Sequence, residues 1–160
     1  MTQFTQISDA EFLPGMGVAA ALEAANCNDI PSGQAFTVDS AAVESEGGTD
    51  PVFGSVTWKT LISAEKTPTD EFVLGIAQFG PGGTLHAHRH VPAEFYLGLE
   101  GDGVVTIDGV AHVIRAGVAL YIPGDAEHAT VAGPDGLRFA YGFAEAAFTG
   151  ITYNFSEKVA

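Results

Sequence analysis

Residues Gly82 to Gly101 read GGTLHAHRHVPAEFYLGLEG, and the rest of the chain is best understood outward from them. Three histidines, His86, His88 and His90, stand at alternate positions, and Glu94 follows four residues after the last. Side chains alternate between faces along a β-strand, so alternate residues share one face. His88 and His90 can therefore aim two imidazoles at one point, and Glu94 can add an oxygen after a Pro-containing bend. Neutral imidazole with carboxylate suits one divalent first-row ion: Fe, Mn, Ni, Co, Cu or Zn. The stretch lacks a fourth ligand.

On both sides the pattern is strand after strand. Val52–Ile62, Glu71–Phe79, Glu94–Leu99, Val104–Ile107 and Val110–Ile114 carry β-branched and aromatic residues in rough alternation, as do Val118–Ile122, Glu127–Val131, Leu137–Phe143 and Ile151–Phe155. Ala35–Ser40 is a further candidate strand, and Ser45–Asp50 is read as a loop. Turns are expected at Lys66–Asp70, Gly101-Asp102-Gly103, Pro123-Gly124-Asp125 and Gly133-Pro134-Asp135-Gly136. Asp108-Gly109 is a strong two-residue hairpin signal. Short strands at this spacing, almost without helix, predict an all-β antiparallel sandwich or barrel.

Residues 1–34 differ in texture. Val18–Asn26 is rich in Ala, Leu and Glu and bracketed by breaker residues, which predicts a short helix in an N-terminal extension. Residues 35–160 then form the barrel, one domain of a 160-residue chain. Hydrophobic residues are 46% and charged residues 16% of the whole, a globular balance. Six Lys+Arg against twenty Asp+Glu give a formal net charge of −14, which disfavours nucleic acid or an anionic membrane as partner. The single cysteine, Cys27, can form no intrachain disulfide and reads as a small buried hydrophobe. No run approaches the roughly 18 apolar residues of a membrane helix. A cytoplasmic protein is expected.

The arrangement resembles the cupin superfamily, whose small β-barrels carry two motifs. In the first, a Gly is followed after five residues by His-x-His, after three or four by Glu, and after six by Gly. Gly82, His88, His90, Glu94 and Gly101 satisfy every interval. In the second, a Gly is followed after five residues by Pro-x-Gly, after two by His, and after three by Asn. Gly117, Pro123 and His128 fit it, whereas Asp125 stands where the second Gly is expected and Ala132 where the Asn is. The resemblance implies a double-stranded β-helix, or jelly-roll barrel, and makes His128 the missing ligand. It also implies a homodimer, since cupins commonly pair through their barrels. The His-x-His-x-His run allows a second register, but the motif spacing favours His88 and His90 and leaves His86 to line the pocket.

A narrower resemblance is to the small cupin-type dimethylsulfoniopropionate lyases, which carry His-x-His, Glu-x-Tyr and a distant last His. Here those are His88, His90, Glu94, Tyr96 and His128. In that family the tyrosine acts as the base that removes the proton α to a metal-bound carboxylate, and β-elimination releases dimethyl sulfide and acrylate. Tyr96 shares strand parity with Glu94 and so should face the same cavity. A phenol that titrates near 10 needs a nearby metal ion to act as a base. Tyr141 and Trp58 are expected to offer π faces to a sulfonium, and Arg138 to anchor a carboxylate. The reading is a metal-dependent cupin enzyme acting on a small carboxylate-bearing molecule, with lyase chemistry preferred. An Fe(II) dioxygenase, a sugar- or uronate-handling cupin and a non-enzymatic small-ligand binder remain as alternatives.

Overall fold

The computed structural model describes residues 33–156. The expected helix at Val18–Asn26, Cys27 and most of the proposed N-terminal extension lie outside the described residues. Among the described residues there is no helix, and none long and apolar enough to cross a membrane. Nine strands follow in chain order: β1 Glu46–Gly47, β2 Thr57–Ile62, β3 Val73–Phe79, β4 Thr84–Arg89, β5 Glu94–Ile107, β6 Val110–Arg115, β7 Ala119–Ile122, β8 His128–Phe143 and β9 Asn154–Phe155. Every pairing is antiparallel.

Two long strands organise the barrel. β5 has 14 residues and β8 has 16, and they pair along their whole length, from Phe95↔Gly142 to Ile107↔His128. One half of this ribbon continues outward through β3, β2 and β1 on one side and β7 on the other. The other half continues through β4 and β9 on one side and β6 on the other. Between the halves the ladder shifts register at Gly98/Glu100 and Gly101/Gly103. Such bulges bend a strand and increase its twist. The ribbon curls far enough for its two extremities, Glu94 and His128, to meet within 3.4 Å.

This corrects two expected turns. Gly101-Asp102-Gly103 and Gly133–Gly136 are not chain reversals but the bent middles of β5 and β8. Gly101 has φ +66° and a Cβ there would sit 2.1 Å from Gly136 O, so glycine serves a bulge with close backbone approach. Ala35–Ser40 forms no strand, and the loop expected at Ser45–Asp50 contains β1. Asp108-Gly109 does form the hairpin, with φ 45° and 79°, the left-handed pair of a type I′ turn.

Alternation along the strands sorts inside from outside. Val73, Ala77, Phe79, Val105, Ile114, Leu137 and Phe139 are buried in one core. Phe95, Leu97 and Leu99 alternate with the buried Glu94, Tyr96 and Gly98, lie on the outer face of β5 and are exposed.

Candidate active site

Four side chains from the histidine stretch and β8 converge. His88 lies on β4 directly opposite His128, the first residue of β8, with ring centroids 4.1 Å apart. His90 follows β4 with the alternation intact, since Arg89 between them is exposed and pairs with Glu127. Glu94 opens β5 and brings Oε2 to 3.3 Å from His90 Nε2 and 3.4 Å from His128 Nε2. All four are buried.

The second motif's departure has a structural answer. Asp125 has φ 60°, the left-handed conformation for which the motif uses glycine, and Asp tolerates it better than most residues. Its N–H donates to His90 O at 2.8 Å, which ties the loop before β8 to the loop after β4. Gly124 is needed for a different reason: a Cβ there would lie 2.4 Å from Val91 O. The turn is therefore kept, and His128 with it.

The imidazoles are oriented by the backbone. His88 Nδ1 donates to His86 O at 2.8 Å, His90 Nδ1 to Pro92 O at 2.9 Å and His128 Nδ1 to Ala126 O at 2.9 Å. A carbonyl only accepts, so each Nδ1 carries the proton, and in the neutral ring each Nε2 is a bare lone pair. Nε2 of His90 and of His128 have no hydrogen-bond partner although both are buried, and they face a carboxylate whose oxygens are also acceptors. Lone pairs turned on one another in a dry site call for a cation between them. The ligand atoms of His88, His90 and His128 lie within 4.8 Å of one another. The residues fit a divalent metal ion.

Electrostatics agree. Burial, reinforced by the neighbouring His128, pushes the His88 imidazole down to about 4, so it is neutral and ready to ligate at ordinary pH. Burial also disfavours charge on His90, but the Glu94 carboxylate 3.3 Å away outweighs it and its pKa is raised. Burial pulls the Glu94 carboxyl up, and the close imidazoles of His128 and His90 more than reverse this.

A cavity of about 300 Å³ opens beside the cluster, lined by His88, Glu94 and Tyr96 together with Trp58 and Tyr141. Tyr96 does share the inner face with Glu94; its ring stacks on Phe139 at 4.1 Å and 26°. Burial, then the Glu94 charge, hold its phenol well above 10. Tyr141 lies across from Gly75 and occupies the space a side chain would take: a Cβ on Gly75 would meet its phenol at 2.4 Å.

Two expected pocket residues are placed elsewhere. Leu85 and His88 both line the cavity although three residues apart, because β4 is irregular between them. That irregularity turns His86 away; its Nδ1 donates to Val52 O at 3.1 Å. Arg138 alternates with the inward Leu137 and Phe139 and lies on the outer side, where it pairs with Glu100 at 3.0 Å. Conversely, Tyr153 was missed. It lines the cavity with its ring 5.2 Å from that of His90 and 5.7 Å from that of His88. Glu46 and Lys66, read from sequence as loop and turn residues, also line it.

Comparison with known proteins accords with this geometry. Residues 75–139 match the family model described as a cupin domain. Over 119 residues the chain is 65% identical to the dimethylsulfoniopropionate lyase DddW of Ruegeria pomeroyi, covering 74% of this chain and 78% of that protein. Among solved structures it is similar to the polyketide cyclase RemF of Streptomyces resistomycificus, with TM-score 0.66, 22% identity and coverage of 78% of this chain and 87% of that one. It is also similar to a chain from the crystal structures of the lyases RdDddP and RnDddQII, with TM-score 0.61, 18% identity and coverage of 72% and 63%. At such identities the two structures speak for the fold, while the Ruegeria protein speaks for kinship. The chain belongs to the cupin family.

Proposed function

We propose that the protein is a metal-dependent lyase that cleaves dimethylsulfoniopropionate into dimethyl sulfide and acrylate. The observation that carries this is Tyr96: a buried phenol on the same inner face as Glu94, in a cavity that both line together with His88. Kinship with the Ruegeria lyase supports it.

His88, His90, Glu94 and His128 would hold one divalent ion, Fe, Mn, Ni, Co, Cu or Zn. When bound, that ion supplies Lewis-acid polarisation of a substrate carboxylate and a positive field that favours nearby anions. The other steps belong to side chains. Tyr96 is held neutral by burial and by Glu94 until a positive field offsets both. As phenolate it accepts the proton α to the carboxylate. The C–H electron pair becomes the Cα=Cβ bond, and the Cβ–S bond breaks with its electrons leaving on sulfur, so a cationic sulfonium departs as neutral dimethyl sulfide. His88, unprotonated above about 4, is no proton source for this step. Trp58 and Tyr141 wall the cavity with π faces suited to the sulfonium, and the packed rings around them keep bulk water from the carbanion-like transition state.

We read the protein as a cytoplasmic homodimer. The lone Cys27 asks for no oxidising compartment, and Phe95, Leu97 and Tyr121 form an exposed apolar row across β5 and β7 that a second barrel would cover. The test of function is dimethyl sulfide and acrylate formed in equal amounts from dimethylsulfoniopropionate by metal-loaded protein, with oxygen uptake recorded. Release without oxygen uptake is expected. Oxygen consumption without release would give the site to dioxygenase chemistry.

A further inference from the structure

The mouth of the cavity carries charge that the elimination does not use. β1 sets Glu46 directly across from Trp58, and Thr60, on the same face of β2, gives its hydroxyl to Glu46 Oε1 at 3.5 Å. Lys66, from the turn after β2, donates its ammonium to the same oxygen. Glu46 and Lys66 both line the cavity, and each side chain remains 43% exposed. Among the described residues, Lys66 is the one Lys or Arg in that lining. Of the two exposed carboxylates in that lining, Glu65 accepts from Thr149 and Ser63, which leaves Glu46, paired across the ladder with Trp58 and with a cation already on it.

That cation is weakly held. An exposed ion pair gains little because water screens it and two long side chains must be fixed. A lysine ammonium is compact and strongly hydrated, and recovers full hydration on release. A methylated onium group differs on each count. It keeps its charge at every pH, has no N–H to donate, binds water loosely, and is attracted by aromatic faces as well as by a carboxylate. Exchange of Lys66 for an onium group at Glu46 returns the well-hydrated ion to water and keeps the poorly hydrated one beside Trp58.

We propose that Glu46 is a specificity-determining residue that selects substrates bearing a permanent methylated onium group, and that Lys66 holds its place until such a group displaces it. The proposal rests on the reading of the cavity as a site for a sulfonium carboxylate, and adds a residue pair that discriminates by charge rather than shape.

The test uses two carboxylates of one shape, 3-(trimethylammonio)propionate and its uncharged carbon analogue 4,4-dimethylpentanoate. Their dissociation constants are measured by calorimetry on the metal-loaded full chain. The wild type is expected to prefer the cationic probe by about fivefold or more. Glu46→Gln should bring the ratio near one with the neutral probe unchanged, and Lys66→Met should tighten the cationic probe alone by about threefold. A ratio that survives Glu46→Gln, or both probes weakened equally, overturns the proposal; so does a ratio indifferent to Lys66→Met. The two readings fail separately. Absent dimethyl sulfide release with the ratio intact removes the lyase, and release with no role for Glu46 in the ratio removes only this selectivity.

Discussion

One half of the β5–β8 ribbon turns Glu94, Tyr96, Phe139 and Tyr141 inward; the other turns in Val105, Ile107, Thr130 and Ala132. Both halves belong to one antiparallel pairing, which shifts register between them. The four named from the first half line the cavity, and the four named from the second do not. Aromatic rings in the first half stand around open space, whereas aliphatic side chains in the second fill theirs, with Ile114 of β6 fully buried among them. The filled half holds the shape and the aromatic half holds the chemistry. They meet at the histidine and glutamate cluster, because the curled ribbon brings His128 from one end onto Glu94 from the other.

The division of labour can be broken first at the junction. His128→Ala should weaken divalent-metal binding by well over about 100-fold, more than loss of an outer-shell contact costs, as read by titration with Zn or Mn. Ile114→Ala, in the filled half, should cost about 3 kcal/mol of unfolding free energy in denaturant titration and leave metal stoichiometry at one. If that variant also lost the metal, the halves would not be separable. Gly75→Ala acts on the aromatic half alone. The new methyl group meets the Tyr141 ring, and KM should rise by roughly tenfold while kcat changes by less than about threefold.

A smaller effect lies in the pH dependence of metal affinity. A proton on an imidazole competes with the ion. His90 has its pKa raised above 6.5, so affinity should increase as pH climbs through its titration. His88, pushed down to about 4, releases no proton across that range. Calorimetry in buffers of differing ionisation enthalpy would count the protons released, and a proton from His88 near neutral pH would contradict the assigned environment.

What the sequence reveals follows the range of the interaction. The convergence of His88, His90 and Glu94 was legible because it is set by strand parity and a short bend, both local. The Asp108-Gly109 hairpin was legible because two residues with positive φ specify it. Gly101 and Gly136 misled because the same left-handed glycine serves a tight turn and a bulge, and only the partner strand tells them apart. His86 misled because parity fails across the irregularity in β4. Tyr153 and Glu46 could not be placed at all. Each reaches the cavity through an edge strand or the segment beside one, β9 laid against β4 and β1 against β2, and no local pattern encodes where such short pieces dock.

The central claim, that Tyr96 takes the α-proton beside a histidine-held metal, is tested most directly by dimethyl sulfide release at saturating dimethylsulfoniopropionate in Tyr96→Phe, with metal content measured on the same sample. The account predicts full metal occupancy with kcat lowered by at least about 100-fold, the scale of a lost general base. Full occupancy with kcat within a few-fold of wild type would contradict it and hand the proton to another group in the cavity, with Tyr153 the next to be changed.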